Sequence, residues 1–309
     1  MSRISVKEMI EHAVKHRYAV GYFESWNLES TLAVVRAAEN VKSPVIIGVC
    51  GTYIGEPKRK YKESLTVYQK MLAQIAEEAS VPVALLLNEA DDEAMVLDAA
   101  KMGFDMVMFA PVFSVEELSI QELKRIQKRI VKEVCKYEVI VEGEVGELPM
   151  FNSMTGEVHK GEVTDPEELR QFVNETGIDI AAVSVGNCHL KEGGKVNINY
   201  EPLKTLAEAV NIPLVLHGGT SIAREDLSKV AALGVVKVNF GTGMKREVLN
   251  VIKAYIQKHD IDKMDPNDVL GRGTGKDIGV LEQEAVIKYV EDTITVSYTH
   301  LRAHETLRH

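Results

Sequence analysis

Short β-branched apolar runs alternate along the chain with longer stretches whose apolar residues recur every three to four positions. The runs at 18–23, 44–49, 83–87, 106–109, 139–143, 180–185, 213–216 and 236–240 read as eight buried strands. Between them, 28–41, 62–79, 115–136, 166–176, 200–210, 224–233 and 245–258 carry helical spacing; in the third of these the stripe is Leu118, Leu123, Ile126 and Ile130. Strict alternation of strand and helix requires parallel pairing with crossover connections. Eight repeats in about 250 residues is the size of a (β/α)8 barrel. The rival, an open doubly wound sheet, would be favoured by a GxGxxG turn after the first strand, and there is none.

The expected architecture is therefore α/β: a single-domain (β/α)8 TIM barrel over residues 1–260, then a C-terminal helical extension over 261–295. In that extension a Gly/Asp-rich connection, 265–279, leads into a helix at 280–293. The stretch 296–309 continues no apolar period and holds three of the nine histidines. It resembles translated adapter text, with a natural disordered tail as the alternative. Either way His300 and His304 drop out as ligand candidates.

Chemistry in such a barrel gathers at the C-terminal ends of the strands. The sequence puts Glu24, Trp26 and Asn27 after the first strand, and Asn88 and Glu89 after the third. Glu142 and Glu144 follow at the fifth, and Asn187, Cys188 and His189 after the sixth. His217 and Gly218-Gly219-Thr220-Ser221 follow the seventh, with Asn239, Gly241 and Thr242 after the eighth. Two histidines at the ends of neighbouring strands can share a metal, and a carboxylate, Glu89 or Glu144, would complete a three-ligand set with an open position. The glycine and hydroxyl residues of the last two loops suit a phosphate, as backbone N–H groups can point at an anion there. Trp26 reads as packing, Cys188 as a small core residue and Glu142 as the ion-pair partner of a neighbouring lysine.

Composition narrows the classes. Acidic residues outnumber basic ones 46 to 36, for a net charge of −10, which argues against a nucleic-acid groove and an anionic membrane surface. An apolar share of 45% excludes wholesale disorder. The longest apolar runs are about eight residues, against the roughly 20 that span a bilayer. Three cysteines, odd in number and far apart, fit a reducing, cytoplasmic setting.

From about Ser5 to Lys258 the chain resembles the class II, metal-dependent ketose-bisphosphate aldolases of the fructose- and tagatose-bisphosphate types. The most specific segments are Gly186-Asn-Cys-His189, Pro213-Leu-Val-Leu-His217-Gly-Gly and Lys237-Val-Asn-Phe-Gly-Thr242. The resemblance implies a divalent cation, zinc first with manganese, iron or cobalt as alternatives. It matches His189 and His217 to two of the family's three histidine ligands. It assigns Gly218, Gly219, Thr220, Ser221, Asn239, Gly241 and Thr242 to a substrate phosphate, and matches Glu144 to a carboxylate of the active site. It also implies a homodimer or homotetramer.

The departures fall in the chemistry. The family's Leu-Asp-His is here Leu87-Asn88-Glu89, so Glu89 stands for the third histidine and Asn88 for the acid/base aspartate. The family's Asn after the first strand is Glu24, its Asp-Gly-Ser is Ala110-Pro111-Val112, and the Gly after the second histidine is Leu190. A carboxylate ligand lowers the positive charge of a metal site and weakens it as a Lewis acid. An amide carries no titrating proton, and general acid–base help is worth about 10²–10⁴-fold. Ordinary bisphosphate cleavage is expected to suffer unless Glu24, or Glu144, moves the proton. The leading expectation is a metal-dependent lyase that makes or breaks a C–C bond in a phosphorylated ketose or related sugar. A metal-dependent sugar epimerase or isomerase, and an inactive homologue that keeps the phosphate loops, are the alternatives.

Overall fold

The computed structural model describes residues 5–111, 118–146, 150–151, 158–159, 162–188, 196 and 198–296. His189, Leu190, Val112 and the tail beyond 296 lie outside the described residues.

Eight parallel strands close a barrel. They are β1 (Val20–Glu24), β2 (Val45–Cys50), β3 (Val83–Ala90), β4 (Met106–Phe109), β5 (Ile140–Val145), β8 (Ile180–Val183), β9 (Leu214–Leu216) and β10 (Val235–Phe240). Two further strands among the described residues, β6 (Met150–Phe151) and β7 (Val158–His159), form a small antiparallel pair that the sequence pattern did not announce. Around the barrel each strand pairs with its neighbours in the order β1-β10-β9-β8-β5-β4-β3-β2. The strands read as unbroken apolar runs because both of their faces are covered; all six residues of β2 are buried.

Helices α1 (Val6–His16), α2 (Leu28–Asn40), α3 (Gly51–Gly55), α4 (Leu65–Glu78), α5 (Glu93–Met102) and α6 (Ile120–Val134) belong to the first half. The second half carries α7 (Pro166–Thr176), α8 (Tyr200–Ala209), α9 (Arg224–Ala232), α10 (Thr242–Lys258), α11 (Pro266–Val269) and α12 (Ile278–Val296). The sequence reading passed over α1, α3, α5 and the four-residue α11, which falls in the expected connection at 265–279. The buried stripe of α5 is only Val96, Ala99 and Ala100, too thin to stand out, and α3 is five residues long. The helix expected over 115–136 is α6; Ser119 caps it by accepting from the Glu122 N–H.

Two apolar layers result. Outside the strands, residues such as Ile47, Leu85, Val107, Val183 and Leu216 pack under the helices. Inside, Tyr22, Ile46, Leu86, Met106 and Val215 form a plug, and α1 closes it from below with Met9, Ile10 and Ala13. A capping box starts α1, with Ser5 and Glu8 exchanging backbone-to-side-chain bonds. The terminal helix α12 packs along α2 and α10, beside the first and last strands, and buries Val286, Val290 and Ile294.

Strand ends differ from expectation where it matters for the site. β3 runs on through Asn88 and Glu89, and β5 through Glu144, so these three side chains stand on strands and not on the loops after them, while Glu142 lies within the strand expected at 139–143. The β3–β4 register shifts between Leu87 and Ala90, and Glu89 takes a left-handed φ of 47°. A non-glycine residue there costs about 1–2 kcal/mol. The Thr52 hydroxyl, on α3, donates to the Glu89 carbonyl oxygen and holds this kink.

Candidate active site

A chain of polar contacts crosses the top of the barrel interior, from β3 through β10 and β5 to β9. Asn239 Nδ2 donates to Asn88 Oδ1 at 3.3 Å, and the Lys237 ammonium donates to Asn239 Oδ1. Lys237 Nζ also lies 3.0 Å from Glu142 Oε2. His217 Nε2 donates to Glu142 Oε1 at 2.8 Å, and its Nδ1 lies 3.0 Å from Glu89 Oε1. Glu142, His217 and Lys237 have no exposed surface. Burial penalises a charged group, so each must be matched by a partner of opposite sign. For His217, burial pulls the pKa down, but the hydrogen bond to Glu142, the Glu89 carboxylate beside Nδ1 and the field of Glu144 outweigh it and raise it to about 9. For Glu142, burial pushes upward and is overcome by Lys237 and His217, leaving the carboxyl below its ordinary value. Burial dominates at Lys237 and holds its ammonium below the usual lysine range.

Above this network opens a cavity of about 210 Å³. Glu24, Asn88, Glu89, Gly218, Thr220, Asn239, Gly241 and Thr242 all line it, so strand ends β1, β3, β9 and β10 converge as the pattern of polar residues implied. Tyr53, Lys245 and Arg246 share the lining. Glu24 forms an ion pair with Lys245. Burial raises the Glu24 pKa, Lys245 draws it back, and Glu89 adds a smaller upward push. Three expected residues stand behind the cavity. Gly219 and Ser221 are buried, and the Ser221 hydroxyl is engaged, donating to the Gly218 carbonyl of its own loop and accepting from the Cys188 N–H of the chain after β8. Glu144 is half-buried on β5 and acts on His217 through its charge.

The loop after β9 turns at Gly218, whose φ of 63° suits glycine. A β-carbon there would also stand 2.3 Å from the Cys188 carbonyl oxygen. Asn187 Nδ2 donates to the His217 carbonyl at 3.1 Å. The chain immediately before position 189 is thus stitched to the loop that follows His217.

The donor chemistry here fits a divalent cation. Ligand bonds of about 2.0–2.2 Å in a tetrahedral site put neighbouring donor atoms about 3.3 Å apart. The pair of Glu89 Oε1 and His217 Nδ1, at 3.0 Å, is close to that spacing. The other imidazole nitrogen is anchored by Glu142, the carboxylate–histidine arrangement that fixes ring orientation at metal sites. Among the described residues no three His, Cys, Asp or Glu side chains form a complete cation site. His189, the expected third donor, falls outside them.

Sequence reasoning gave Glu142 a lysine partner but did not connect it to His217, and it gave Lys237 and Lys245 no role. Lys237 was detectable as a lone charge in the otherwise apolar β10, two residues before Asn239 and so on the same strand face. Trp26 does more than pack: its ring lies 5.7 Å from the Lys245 ammonium, and its N–H donates to Glu282 of α12 at 2.8 Å.

Residues 4–291 match the family model described as fructose-bisphosphate aldolase class-II. The fructose-bisphosphate aldolase of Geobacillus stearothermophilus is 31% identical over 277 residues, covering 88% of this chain and 92% of that protein. The 6-phospho-5-dehydro-2-deoxy-D-gluconate aldolase of Bacillus licheniformis is 32% identical, over 78% of this chain and 80% of that one. The crystal structure of the YdjI aldolase from Escherichia coli K12 superimposes with a TM-score of 0.76 at 25% identity, covering 98% of this chain and 100% of that chain. With that match spanning nearly its whole length, the chain belongs to the class II fructose-bisphosphate aldolase family.

Proposed function

We propose that the protein is a metal-dependent aldehyde-lyase that makes or breaks a C–C bond in a phosphorylated ketose or related sugar. The observation that carries this reading is the contact between Glu89 and His217. The carboxylate standing in place of the family's third histidine lies 3.0 Å from the Nδ1 of the retained one. Glu89, His189 and His217 would hold the cation, zinc first; manganese, iron or cobalt would also suit a carboxylate-containing set. When bound, the cation supplies Lewis-acid polarisation of a carbonyl oxygen.

The chain's own groups do the rest. Glu142 holds the His217 ring with Nδ1 3.0 Å from the Glu89 carboxylate, and Lys237 holds Glu142. Asn88 cannot move a proton, and its oxygen already accepts from Asn239. Its amide N–H groups are left to orient a substrate hydroxyl. Glu24 takes the proton from the hydroxyl next to the breaking bond; burial raises its pKa above the ordinary carboxylate value, which strengthens it as a base. Glu144 contributes charge and no proton. Gly218, Thr220, Gly241 and Thr242 receive the substrate phosphate, while Gly219 and Ser221 shape the loop.

Elemental analysis of the purified protein, followed by cleavage assays on a panel of ketose phosphates with zinc, manganese or cobalt, tests the reading. One divalent ion per chain and release of an aldehyde are expected. Silence across the panel with metal bound refutes the lyase, and solvent-deuterium uptake without cleavage marks an epimerase or isomerase instead. A cytoplasmic setting and a homodimer or homotetramer complete the proposal. No helix among the described residues is long and apolar enough to cross a membrane, and light scattering on the purified protein gives the assembly.

A further inference from the structure

The cavity at the barrel mouth carries a cation that the carbonyl chemistry does not use. Lys245 stands in the first turn of α10, its ammonium 4.9 Å from the centre of the Tyr53 ring and 5.7 Å from that of Trp26. Trp26 is fixed from behind by Glu282, which also accepts from Asn27 Nδ2 at 2.8 Å. The two rings therefore form a shelf that keeps the ammonium from swinging out to solvent. On its other side the ammonium donates to Glu24. An ammonium has three donors and Glu24 engages it through one oxygen. With 34% of the Lys245 side chain exposed, donors remain for a second oxyanion. The cavity beside it is lined by Thr220, Gly241, Thr242 and Arg246.

We propose that Lys245 is the specificity-determining residue for an oxyanion carried by the substrate, and that Glu24 is its internal competitor. An incoming phosphate takes over the Lys245 ammonium and releases the Glu24 carboxylate toward the reacting carbons. What Glu24 does after release rests on the lyase reading; the exchange of partners at Lys245 does not. The driving force is charge. A carboxylate brings one negative charge to the ammonium, whereas a phosphate monoester brings about −1.5 to −2 and three acceptor oxygens. A neutral sugar of the same shape has nothing with which to displace Glu24, so its base stays tied. Substrate selection and base release are then one event, and the enzyme discriminates against unphosphorylated sugars in turnover as well as in binding.

Titration calorimetry of inorganic phosphate into the purified full-length protein tests this without any turnover. Removing the competitor with Glu24→Gln is expected to tighten phosphate binding about tenfold, and Lys245→Met to weaken it about tenfold or more. Lys245→Arg stays within a few-fold of the parent, and in the double variant E24Q/K245M the gain from E24Q disappears. Should Lys245→Met fail to fold, Lys245→Gln gives the same comparison. No phosphate binding by any form, unchanged affinity in the Lys245 variant, or weaker binding by E24Q overturns the proposal. A protein that follows the expected order yet cleaves no ketose phosphate keeps this exchange and loses the lyase reading; cleavage without that order does the reverse.

Discussion

The carboxylate of Glu24 lies over the backbone of Gly241, with Oε2 2.6 Å from the point where a β-carbon on residue 241 would stand. The bare backbone at the end of β10 is what admits an acidic side chain from the end of β1. Gly241→Ala is therefore expected to displace the Glu24 carboxylate and not the backbone, since the flexible end of a side chain gives way first. Folding stability should change by about 1 kcal/mol or less. Turnover should fall nearly as far as in Glu24→Gln, by about 10²-fold or more if Glu24 carries the proton. Urea denaturation and kcat measured on the same preparations separate the two effects; a large loss of stability with normal turnover would contradict this geometry.

The buried pair of Lys237 and Glu142 is expected to show the asymmetry of enclosed charges. Replacing Lys237 by Met leaves the Glu142 carboxylate with only His217 as a cationic partner, and should cost about 3–5 kcal/mol. Glu142→Gln leaves the buried ammonium without its carboxylate, with the Asn239 oxygen still accepting from it, and should cost a similar amount. The double variant K237M/E142Q removes both charges and should be markedly more stable than either single one. Because Glu142 also orients the His217 ring, every variant lacking its carboxylate should bind zinc about 10–100-fold more weakly, read by competition with a chelator. Additive losses in the double variant would show that the two charges act independently.

The alternation of apolar runs and amphipathic stretches was enough to place all eight barrel strands, because strands covered on both faces leave a continuous apolar signature. It failed at α5, whose stripe is mostly alanine, and at α1, whose capping box at Ser5 and Glu8 was present but unread. Within the site, Glu24, Asn88, Glu89 and the glycines of the last two loops could be named because polar residues at strand ends converge by topology alone. The partnership of Glu142 with both His217 and Lys237 could not. It depends on which way each side chain faces inside a closed barrel, and a strand end misjudged by two or three residues moves a carboxylate from a loop to the interior. The Glu24–Lys245 contact was equally hidden, since it joins residues 221 apart in sequence through barrel closure of β1 on β10.

Asp277 fastens the connection that leads into α12. Its two oxygens accept the backbone N–H groups of Gly273 at 2.8 Å, Gly279 at 2.9 Å and Gly271 at 2.7 Å, and these bonds hold its pKa below the ordinary value. A depressed carboxyl pKa contributes stability above the unfolded-state value of about 3.9 and loses it as pH falls through the folded value. Asp277→Asn should therefore be less stable than the parent at neutral pH, with the difference closing below about pH 4. Urea midpoints of both proteins between neutral and acidic pH check this. A gap that stays constant across the range would mean that the carboxylate's charge plays no part.

The two substitutions on β3 can be reversed together. Asn88 is buried and its Oδ1 accepts from Asn239, so an aspartate there keeps that bond while gaining a group that can exchange a proton. Glu89 sits on a left-handed kink whose carbonyl is held by Thr52, a backbone contact indifferent to the side chain. A histidine at 89 thus starts from a fixed position beside His217. Asn88→Asp with Glu89→His is expected to raise fructose- or tagatose-bisphosphate cleavage by about 10²–10⁴-fold, the usual worth of a general acid–base group. Asn88→Asp alone should recover part of this, since it restores proton transfer without changing the metal's charge. Glu89→His alone should raise metal affinity for soft, nitrogen-preferring ions with little gain in rate. If the double variant binds zinc and still cleaves neither bisphosphate, the barrier lies elsewhere, and Glu24 tied to Lys245 is the next position to change.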